Sequence, residues 1–127
     1  MIICIVDDDL LIHSLIKQHL KDLEPAHQFI SFTDGTEMHE YLLANQNLAE
    51  KLPSIIFLDL NMPVMDGFSF LEKFDELRKT LTLKPEIYVV STVTHSSTIR
   101  MIEHNRNVSA FIAKPFKEDA FLRIMEK

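Results

Sequence analysis

A run of four apolar residues ends directly on a carboxylate near the middle of the chain. Ile55–Leu58 has the sequence IIFL, and Asp59 follows it before a turn that ends at Gly67. The run is too short for a typical helix and is typical of a strand that is buried on both faces of a parallel sheet. Open α/β sheets bind ligands beyond the carboxyl ends of their strands. Asp59 is therefore predicted to lie at an edge where a carboxylate can meet a metal ion or a phosphate.

Other apolar runs of strand length occur along the chain and alternate with helical patterns. The predicted strands are residues 2–6, 28–32, 54–58, 87–90 and 110–113. Alternation of strands with helices is typical of a parallel sheet that has helices on both faces. We therefore predict an α/β fold with a doubly wound, five-stranded parallel sheet in the strand order 2-1-3-4-5, in which strands 1, 3 and 4 are neighbours.

Apolar residues at spacings of three and four positions predict a helix after each strand. The first helix is expected to follow a cap at Asp8 or Asp9 and to end at Pro25, and the last helix is expected over residues 118–126. The residues expected on the buried sides of the helices are Leu11, Ile12, Leu15, Ile16, Leu20 and Leu23 in the first, Met38, Tyr41, Leu42 and Leu43 in the second, Phe68, Leu71, Phe74 and Leu77 in the third, Ile99 and Ile102 in the fourth, and Phe121, Leu122 and Met125 in the last.

Composition excludes several classes of protein. A length of 127 residues predicts one domain over residues 1–127, and the formal net charge of -6 without a basic stripe argues against direct binding to nucleic acid. The one cysteine, Cys4, cannot form a disulfide within the chain, so the reducing cytoplasm is the expected location. No apolar run approaches the ~20 residues of a membrane helix, and no signal peptide is recognisable. Because only two glycines occur, a glycine-rich phosphate loop is excluded.

Reactive side chains follow four of the five predicted strands. Asp7 and Asp8 follow the first strand, Asp59 the third, Ser91 the fourth and Lys114 the fifth. Parallel strands share one carboxyl edge, and neighbouring strands are about 4.8 Å apart. We therefore expect the aspartates to be close enough to share a metal ion. Lys114 starts about 10 Å from Asp59 along the edge, a distance that only a long side chain spans.

Hard oxygen ligands in this number suit Mg²⁺, with Mn²⁺ as a further possibility, and no histidine or cysteine pattern indicates zinc. Each residue also has a simpler interpretation when it is taken alone. Two acids after a strand are usually a helix cap, an aspartate before a turn is usually a turn residue, and Lys114-Pro115 is usually a surface loop. The coincidence of all these groups at strand ends favours a site over these separate interpretations.

Four segments together carry a resemblance to a known family. They are VDDD at positions 6–9, DLNMPVMDG at 59–67, VVST at 89–92 and FIAKPF at 111–116. In this combination the chain resembles the CheY-like receiver domain of two-component response regulators, over essentially its whole length. The fold of that family is the flavodoxin-like (βα)5 arrangement, which agrees with the sheet predicted above.

The resemblance implies a role for each acidic residue of the edge. Asp59 matches the phosphoacceptor, which takes a phosphoryl group from a histidine kinase or a phosphotransfer protein as an acyl phosphate. Asp8 matches the acid that binds Mg²⁺ directly, and Asp7 the acid that usually binds it through water. Asn61 matches the position whose backbone carbonyl is a metal ligand, so the implied metal site comprises Asp7, Asp8, Asp59 and Asn61.

The resemblance also implies a switch. Ser91 matches the hydroxyl and Lys114 the lysine that bind the phosphoryl group, while Phe111 matches the aromatic residue that turns inward when the hydroxyl moves. Pro115 matches a proline that usually follows a cis peptide bond, and Gly67 allows the turn into the third helix. A phosphoryl group adds about -1.5 to -2 charge and three strong acceptors, which can draw Ser91 and Lys114 inward.

The implied readout face consists of the fourth helix, the fifth strand and the last helix. It would control a protein partner that the sequence does not identify, and it could support a monomer or a weak dimer. The chain ends directly after the last helix, which fits either a free-standing regulator or a piece of a larger protein. The expected role is therefore regulatory rather than enzymatic, with self-catalysed phosphotransfer and slow autodephosphorylation.

Some positions depart from the family pattern. Thr92 replaces the alanine most common after the switch hydroxyl, and its bulk could narrow access to Asp59. The segment before the fifth strand lacks the frequent glycine, so Asn105 or Asn107 would take its place in a left-handed turn. Asn61 and Val93 match two variable positions that tune dephosphorylation.

Two other functions remain as alternatives. The pattern Asp7-x-Asp9 after a strand is similar to the start of haloacid-dehalogenase-like, Mg²⁺-dependent phosphatases, in which Asp7 would be the nucleophile. The chain is short for that fold with its cap, and the segment at 61–63 would be unexplained. The other alternative is a receiver-like binding module without phosphorylation, which the complete set of acids disfavours.

Overall fold

In the part of the chain that the structure describes, five parallel strands form one sheet in the order second, first, third, fourth, fifth, as predicted. The computed structural model describes residues 1–21, 27–62, 65–92 and 95–125. The predictions for Leu23, Pro25 and Val93 lie outside these residues, as does the end of the last helix at 126. The strands are β1 (Ile2–Val6), β2 (Gln28–Phe32), β3 (Ile55–Leu58), β4 (Glu86–Ser91) and β5 (Val108–Ala113).

Helices follow the strands on both faces of the sheet. They are α1 (Leu10–Lys21), α2 (Gly35–Ala44), α3 (Gly67–Leu77), α4 (Ser96–Glu103) and α5 (Glu118–Met125), with short 3-10 helices at Ala49–Lys51 and Arg78–Thr80. This is the α/β, doubly wound architecture that the alternating pattern predicts. None of the helices in the described part of the chain has the length and apolarity that a bilayer crossing would require.

The core lies in two layers because successive side chains of a strand point to opposite faces of the sheet. Cys4 and Val6 of β1 pack with α2, α3 and α4 on one face, where Phe74 is fully buried. Ile3 and Ile5 pack with α1 and α5 on the other face. Side chains on both faces of the central strands are therefore apolar, instead of alternating with polar ones. This is why short, unbroken apolar runs in the sequence predicted these strands.

Three apolar residues that were predicted to be buried are exposed instead. Leu11 of α1 is 77% exposed, Leu43 of α2 is 48% exposed and Phe68 of α3 is 39% exposed. The buried residues of α1 are His13, Ile16 and Leu20, and the ring nitrogen of His13 donates to the main-chain oxygen of Asp7. Leu11 lies on the opposite side of the helix. Spacing alone placed the apolar stripes but not their exact rotation about each helix axis.

Strand β5 begins at Val108, two residues before the predicted start at 110. Its register against β4 shifts between Ile87 and Tyr88, so that Val108 pairs with Ile87 and Ala110 with Tyr88. Ser109 is thus the extra residue of a bulge. Beyond the bulge, Ala113 lies opposite Ser91 and brings the end of β5 to the carboxyl edge.

Candidate functional site

The first aspartate after β1 faces the edge, whereas the third caps the next helix. Asp7 is 2% exposed, and its Oδ1 accepts a hydrogen bond from the main-chain N–H of Asp9 at 2.8 Å. Asp9 Oδ1 accepts from Leu11 N at 3.0 Å and so satisfies a free N–H group of the first turn of α1. Asp8 lies between them and is exposed. The capping role predicted for Asp8 or Asp9 thus belongs to Asp9.

Asp59 directly follows β3 and is held at the edge by its backbone. Its N–H donates to Val6 O at 2.8 Å, and the residue is 5% exposed. Gly67 N donates to Leu60 O at 3.0 Å, so the loop that follows Asp59 returns to its own start. A Cβ atom on Gly67 would lie 2.4 Å from the main-chain oxygen of Asp59. Gly67 is therefore required by a close approach of α3 to the end of β3.

The other glycine of the chain packs on the same loop. Gly35 N donates to Met65 O at 3.0 Å, and a Cβ atom on Gly35 would lie 2.8 Å from that oxygen. No site role for Gly35 was predicted from the sequence. The available indication was that the chain has only two glycines, and glycine is the residue that allows backbones to approach closely.

Lys114 reaches across the edge to both buried aspartates. Its Nζ lies 3.0 Å from Asp7 Oδ2 and 3.4 Å from Asp59 Oδ1. The backbone N–H of Lys114 donates to Ser91 O at 2.9 Å, and this bond fixes the position from which the lysine side chain extends. The Lys114-Pro115 peptide bond is cis, as the resemblance implied. The long side chain therefore spans the distance that strand spacing predicted.

Burial dominates the electrostatics of this cluster. Desolvation, aided by repulsion from Asp7, raises the pKa of Asp59 to about 6, although Lys114 opposes the shift. Burial alone would lower the pKa of Lys114, but its hydrogen bond and attraction to Asp7, with the charge of Asp59, raise it. The lysine is thus a fixed cation, and Asp59 is a carboxylate whose charge one lysine only partly compensates.

The acidic cluster has the composition of a divalent-metal site. Asp7, Asp8 and Asp59 each offer a carboxylate oxygen, and these oxygens lie within 4.8 Å of one another. All of the donors are hard oxygen atoms, which suit small divalent cations. Such a cation would add the positive charge that Lys114 alone does not supply to three carboxylates. The residues therefore fit a divalent metal ion.

The predicted switch residues lie on the two strands beside the acidic cluster. Ser91 is fully buried at the end of β4, while Thr92 after it is exposed. Phe111 lies opposite Val89 on β5 and is partly buried against the core layer of α2, α3 and α4. Phe111 is thus two residues from Ala113, which pairs with Ser91 at the ends of the two strands.

Some features of the site were not predicted from sequence. The hydrogen bond from His13 to the main chain of Asp7 places a histidine directly beneath the edge. Asn61, the predicted source of a metal-binding carbonyl, is exposed two residues after Asp59. Pro115 is also exposed, next to the buried Phe116. The His13 contact had no sequence signal beyond a histidine in the first turn of an apolar helix.

Comparisons with known proteins agree with this geometry. The response regulator receiver domain family matches residues 3–126. The chemotaxis protein CheY of Listeria monocytogenes is 27% identical, over 97% of this chain and 93% of that protein. A structure of the phosphorylated cyanobacterial phytochrome response regulator RcpA is 26% identical, with a TM-score of 0.78 over 98% of this chain and 88% of that one.

Other relatives are much longer than this chain. The sensor histidine kinase CheAY of Helicobacter pylori is 29% identical over 126 residues, which are 99% of this chain but 15% of that protein. The chain also covers 29% of a protein-glutamate methylesterase/protein-glutamine glutaminase of Methylobacillus flagellatus, to which it is 30% identical. The first curated relatives thus contain the matching segment as a minor part. Together with the fold and the acidic edge, the match over residues 3–126 shows that this chain belongs to the response regulator receiver domain family of two-component signal transduction.

Proposed function

We propose that Asp59 is the phosphoacceptor and that its phosphorylation switches the protein between two signalling states. The observation that carries this proposal is the convergence on one buried carboxylate. Asp59 is 5% exposed, lies in a cluster of three aspartates, and has the Lys114 ammonium 3.4 Å from its Oδ1. The donor would be a histidine kinase or a phosphotransfer protein. One relative, CheAY, is itself described as a sensor histidine kinase.

The proposed reaction is a direct displacement at phosphorus. An oxygen of the Asp59 carboxylate attacks the phosphorus of a phosphohistidine, the P–N bond breaks, and its electron pair remains on the imidazole, which takes up a proton. Lys114 Nζ, now shared between Asp7 and Asp59, would pair with a phosphoryl oxygen and stabilise the charge that develops there. The product is an aspartyl phosphate, a mixed anhydride that hydrolyses slowly.

We propose Mg²⁺ as the metal, with Mn²⁺ as a substitute. Asp7, Asp8 and Asp59 would hold it with the main-chain carbonyl of Asn61. Once bound, the ion would supply positive charge toward the phosphoryl oxygens. The side chains fit such an ion because three carboxylates crowd at the edge and burial already raises the pKa of Asp59 to about 6.

The proposed response is local and passes along β4 and β5. The hydroxyl of Ser91 would donate to the new phosphoryl group, and Phe111 would move into the space beside β4. Ser91 and Ala113 are paired across the two strands, and Phe111 lies two residues before Ala113. The changed surface would comprise α4, β5 and α5, and it would bind a protein partner or a second copy weakly. A ligand shifts such an equilibrium only through different contacts in the two states.

The role is proposed to be regulatory, in the cytoplasm, rather than that of a phosphatase. Asp7 and Asp59 both pair with Lys114, at 3.0 and 3.4 Å, so this contact does not distinguish the two as nucleophiles. The match of residues 3–126 to the receiver domain family favours Asp59 over a haloacid-dehalogenase-like reaction at Asp7. The complete acidic edge likewise disfavours a binding module that is never phosphorylated.

Phosphorylation by a small donor tests the proposal. We expect intact-mass spectrometry to show the addition of one phosphoryl group after incubation with acetyl phosphate and Mg²⁺, and none in Asp59→Asn or in the presence of a chelator. Asp119→Asn is the matched control, because Asp119 is an exposed carboxylate of α5. It should be modified as the wild type is. Modification that persists in Asp59→Asn would contradict the proposal.

A further inference from the structure

A cleft of about 410 Å³ lies between α3 and the loop that joins α4 to β5. Its α3 wall is the stripe of Phe68, Leu71, Glu72 and Asp75, and its other wall is loop residues 105–107. The spacing of the stripe, at positions i, i+3, i+4 and i+7, places these side chains on one face of the helix. We call this feature the α3 cleft. It contains none of the residues that form the phosphoacceptor site.

The loop wall of the α3 cleft is held in a defined shape. Arg106 donates through two nitrogens to the two oxygens of Asp75, each at 2.8 Å. Asn107 Nδ2 donates to Asp75 Oδ1 at 3.0 Å, and Asn107 N donates to Asn105 Oδ1 at 2.9 Å. Asp75 and Arg106 therefore satisfy each other, and neither presents a free charge to a ligand. A pre-formed wall lowers the ordering cost of binding.

Two hydrogen-bond acceptors remain beside this network. Asn107 is 7% exposed, and its Oδ1 is buried without a hydrogen-bond partner in the described part of the chain. Buried polar atoms usually have a partner, so an orphaned amide oxygen requires an explanation. The carboxylate of Glu72 is exposed and makes no ion pair with any residue that the structure describes. With Asp75 and Arg106 counted, the lining carries a formal charge of -1, from two acids and one arginine.

Phe68 gives the cleft an aromatic side. It is 39% exposed, although the helical spacing predicted that it would be buried. An exposed ring beside a carboxylate and an amide oxygen is suited to a cation that is planar and carries several N–H donors. The guanidinium group has this shape, pairs with carboxylates through two hydrogen bonds, and stacks on aromatic rings.

We propose that the α3 cleft binds an arginine side chain on a segment of a protein partner. The guanidinium group would donate to Glu72 and to Asn107 Oδ1, with its plane against Phe68. A protein segment fits better than a small guanidinium compound because the lining residues Phe68, Glu72 and Arg106 are all exposed, so a small ligand would remain largely wet. A segment gains further contacts on either side of its arginine. The net charge of -6 also attracts basic partners.

A titration of the isotopically labelled chain of residues 1–127 with N-acetylarginine methylamide tests the arginine site. We expect saturable amide shifts at residues 68–75 and 105–107, weaker binding of the lysine analogue, and no saturation with the neutral citrulline analogue. Glu72→Gln should weaken binding at least about threefold. Glu76→Gln is the matched control, since Glu76 lies one turn further along α3 and pairs with Lys79 at 3.2 Å. Equal weakening by both variants, or equal binding of citrulline, would overturn the proposal.

Selection from a displayed random peptide library tests the protein source. We expect peptides retained by the wild type but not by Glu72→Gln to share an arginine, to bind more tightly than the capped arginine, and to be displaced by it. If no such peptide exceeds the capped arginine in affinity, a protein partner is contradicted. Repeating both experiments with Asp59→Asn separates the two proposals, because the α3 cleft should bind arginine whether or not Asp59 is the phosphoacceptor.

Discussion

Asp59 and Asp75 both lie within reach of a cationic side chain, yet their pKa values move in opposite directions. Asp59 lies 3.4 Å from Lys114 at the sheet edge, and burial, with repulsion from Asp7, raises its pKa to about 6. Asp75 is bound by Asn107 and by Arg106 at the α3 cleft, and these hydrogen bonds lower its pKa. A nearby cation therefore does not by itself determine the pKa of an acid. The more deeply the acid is buried, the more positive charge or hydrogen bonding its carboxylate form needs.

This difference separates a site from a structural contact. Hydrogen bonds from Arg106 and Asn107 stabilise the carboxylate of Asp75. The same bonds hold the loop between α4 and β5 against α3. Asp59 remains under-compensated, and it is the acid whose charge a bound cation would relieve most. Clusters that sacrifice stability in this way concentrate at functional sites.

Removal of Lys114 at the sheet edge should slow phosphotransfer far more than removal of Arg106 at the α3 cleft. We expect Lys114→Ala to slow phosphorylation by acetyl phosphate about 100-fold or more, because a preorganised donor to the phosphoryl oxygens is lost. Arg106→Ala should change the rate by less than about twofold, since a surface pair contributes little. The initial rates are measured by intact-mass spectrometry on variants whose folding is checked by circular dichroism. Similar losses in both variants would contradict the distinction between Lys114 at the site and Arg106 at the surface.

Gly67 and Phe68 are adjacent in α3, but Gly67 packs against the end of β3 whereas Phe68 lines the α3 cleft. Gly67→Ala would place a Cβ atom 2.4 Å from Asp59 O and 2.8 Å from Leu60 Cα, both of them backbone atoms. We expect a loss of about 1–3 kcal/mol in the free energy of unfolding, because the backbone must shift. The change should also slow phosphorylation.

Phe68→Ala is the neighbouring comparison, because Phe68 is 39% exposed and lies at the α3 cleft. It should cost less stability than Gly67→Ala and leave phosphorylation unchanged. Urea denaturation of both variants measures the difference. A Gly67→Ala protein as stable as the wild type would show that the close approach to β3 is not required.

Asp59→Asn should stabilise the metal-free protein above pH 6. The folded-state pKa of Asp59, about 6, lies above the ordinary value of 3.8, so the folded protein binds this proton more tightly than the unfolded chain. The contribution of Asp59 to stability therefore falls as pH rises between these values and stays low above them. We expect a gain of about 1–2 kcal/mol at pH 8, after allowance for screening by solvent. Denaturation with a chelator present measures it, and a loss of stability at pH 8 would contradict the interpretation.

Asp75→Asn should have the opposite sign and a smaller size. The folded-state pKa of Asp75 is lowered by Asn107 and Arg106, so its contribution to stability is present above the ordinary carboxyl pKa and is lost as pH falls through the lowered value. We expect slight destabilisation at pH 7 that disappears in strong acid. Thermal melts from pH 7 downward test this. A variant that is more stable than the wild type at pH 7 would remove the contrast with Asp59.

The sheet could be predicted from sequence because its central strands are buried on both faces. The predicted strand at 2–6 coincides with β1, and the one at 54–58 differs from β3 by a single residue at its start. The start of β5 was missed because Val108 and Ser109 precede a register shift, and no local pattern distinguishes a bulge from a loop. The prediction for Leu11 was wrong because apolar residues occur around much of α1, whereas only the side with His13, Ile16 and Leu20 is buried.

The site could be predicted in part because parallel strands end at one edge. The reach of Lys114 to Asp59 follows from strand order alone, and the structure confirms the contact at 3.4 Å. The pair of Asp75 and Arg106 could not be predicted, because the residues are 31 positions apart and meet through the shape of a loop. Long-range contacts of irregular segments leave no periodic signal in a sequence.

Reductive trapping of the phosphorylated residue tests the central claim most directly. Borohydride converts an aspartyl phosphate to homoserine, which tandem mass spectrometry locates after proteolysis. For protein phosphorylated with acetyl phosphate and Mg²⁺, we expect homoserine at position 59 and at no other aspartate. Homoserine at position 7 instead would contradict it and would favour a phosphatase-like nucleophile at Asp7.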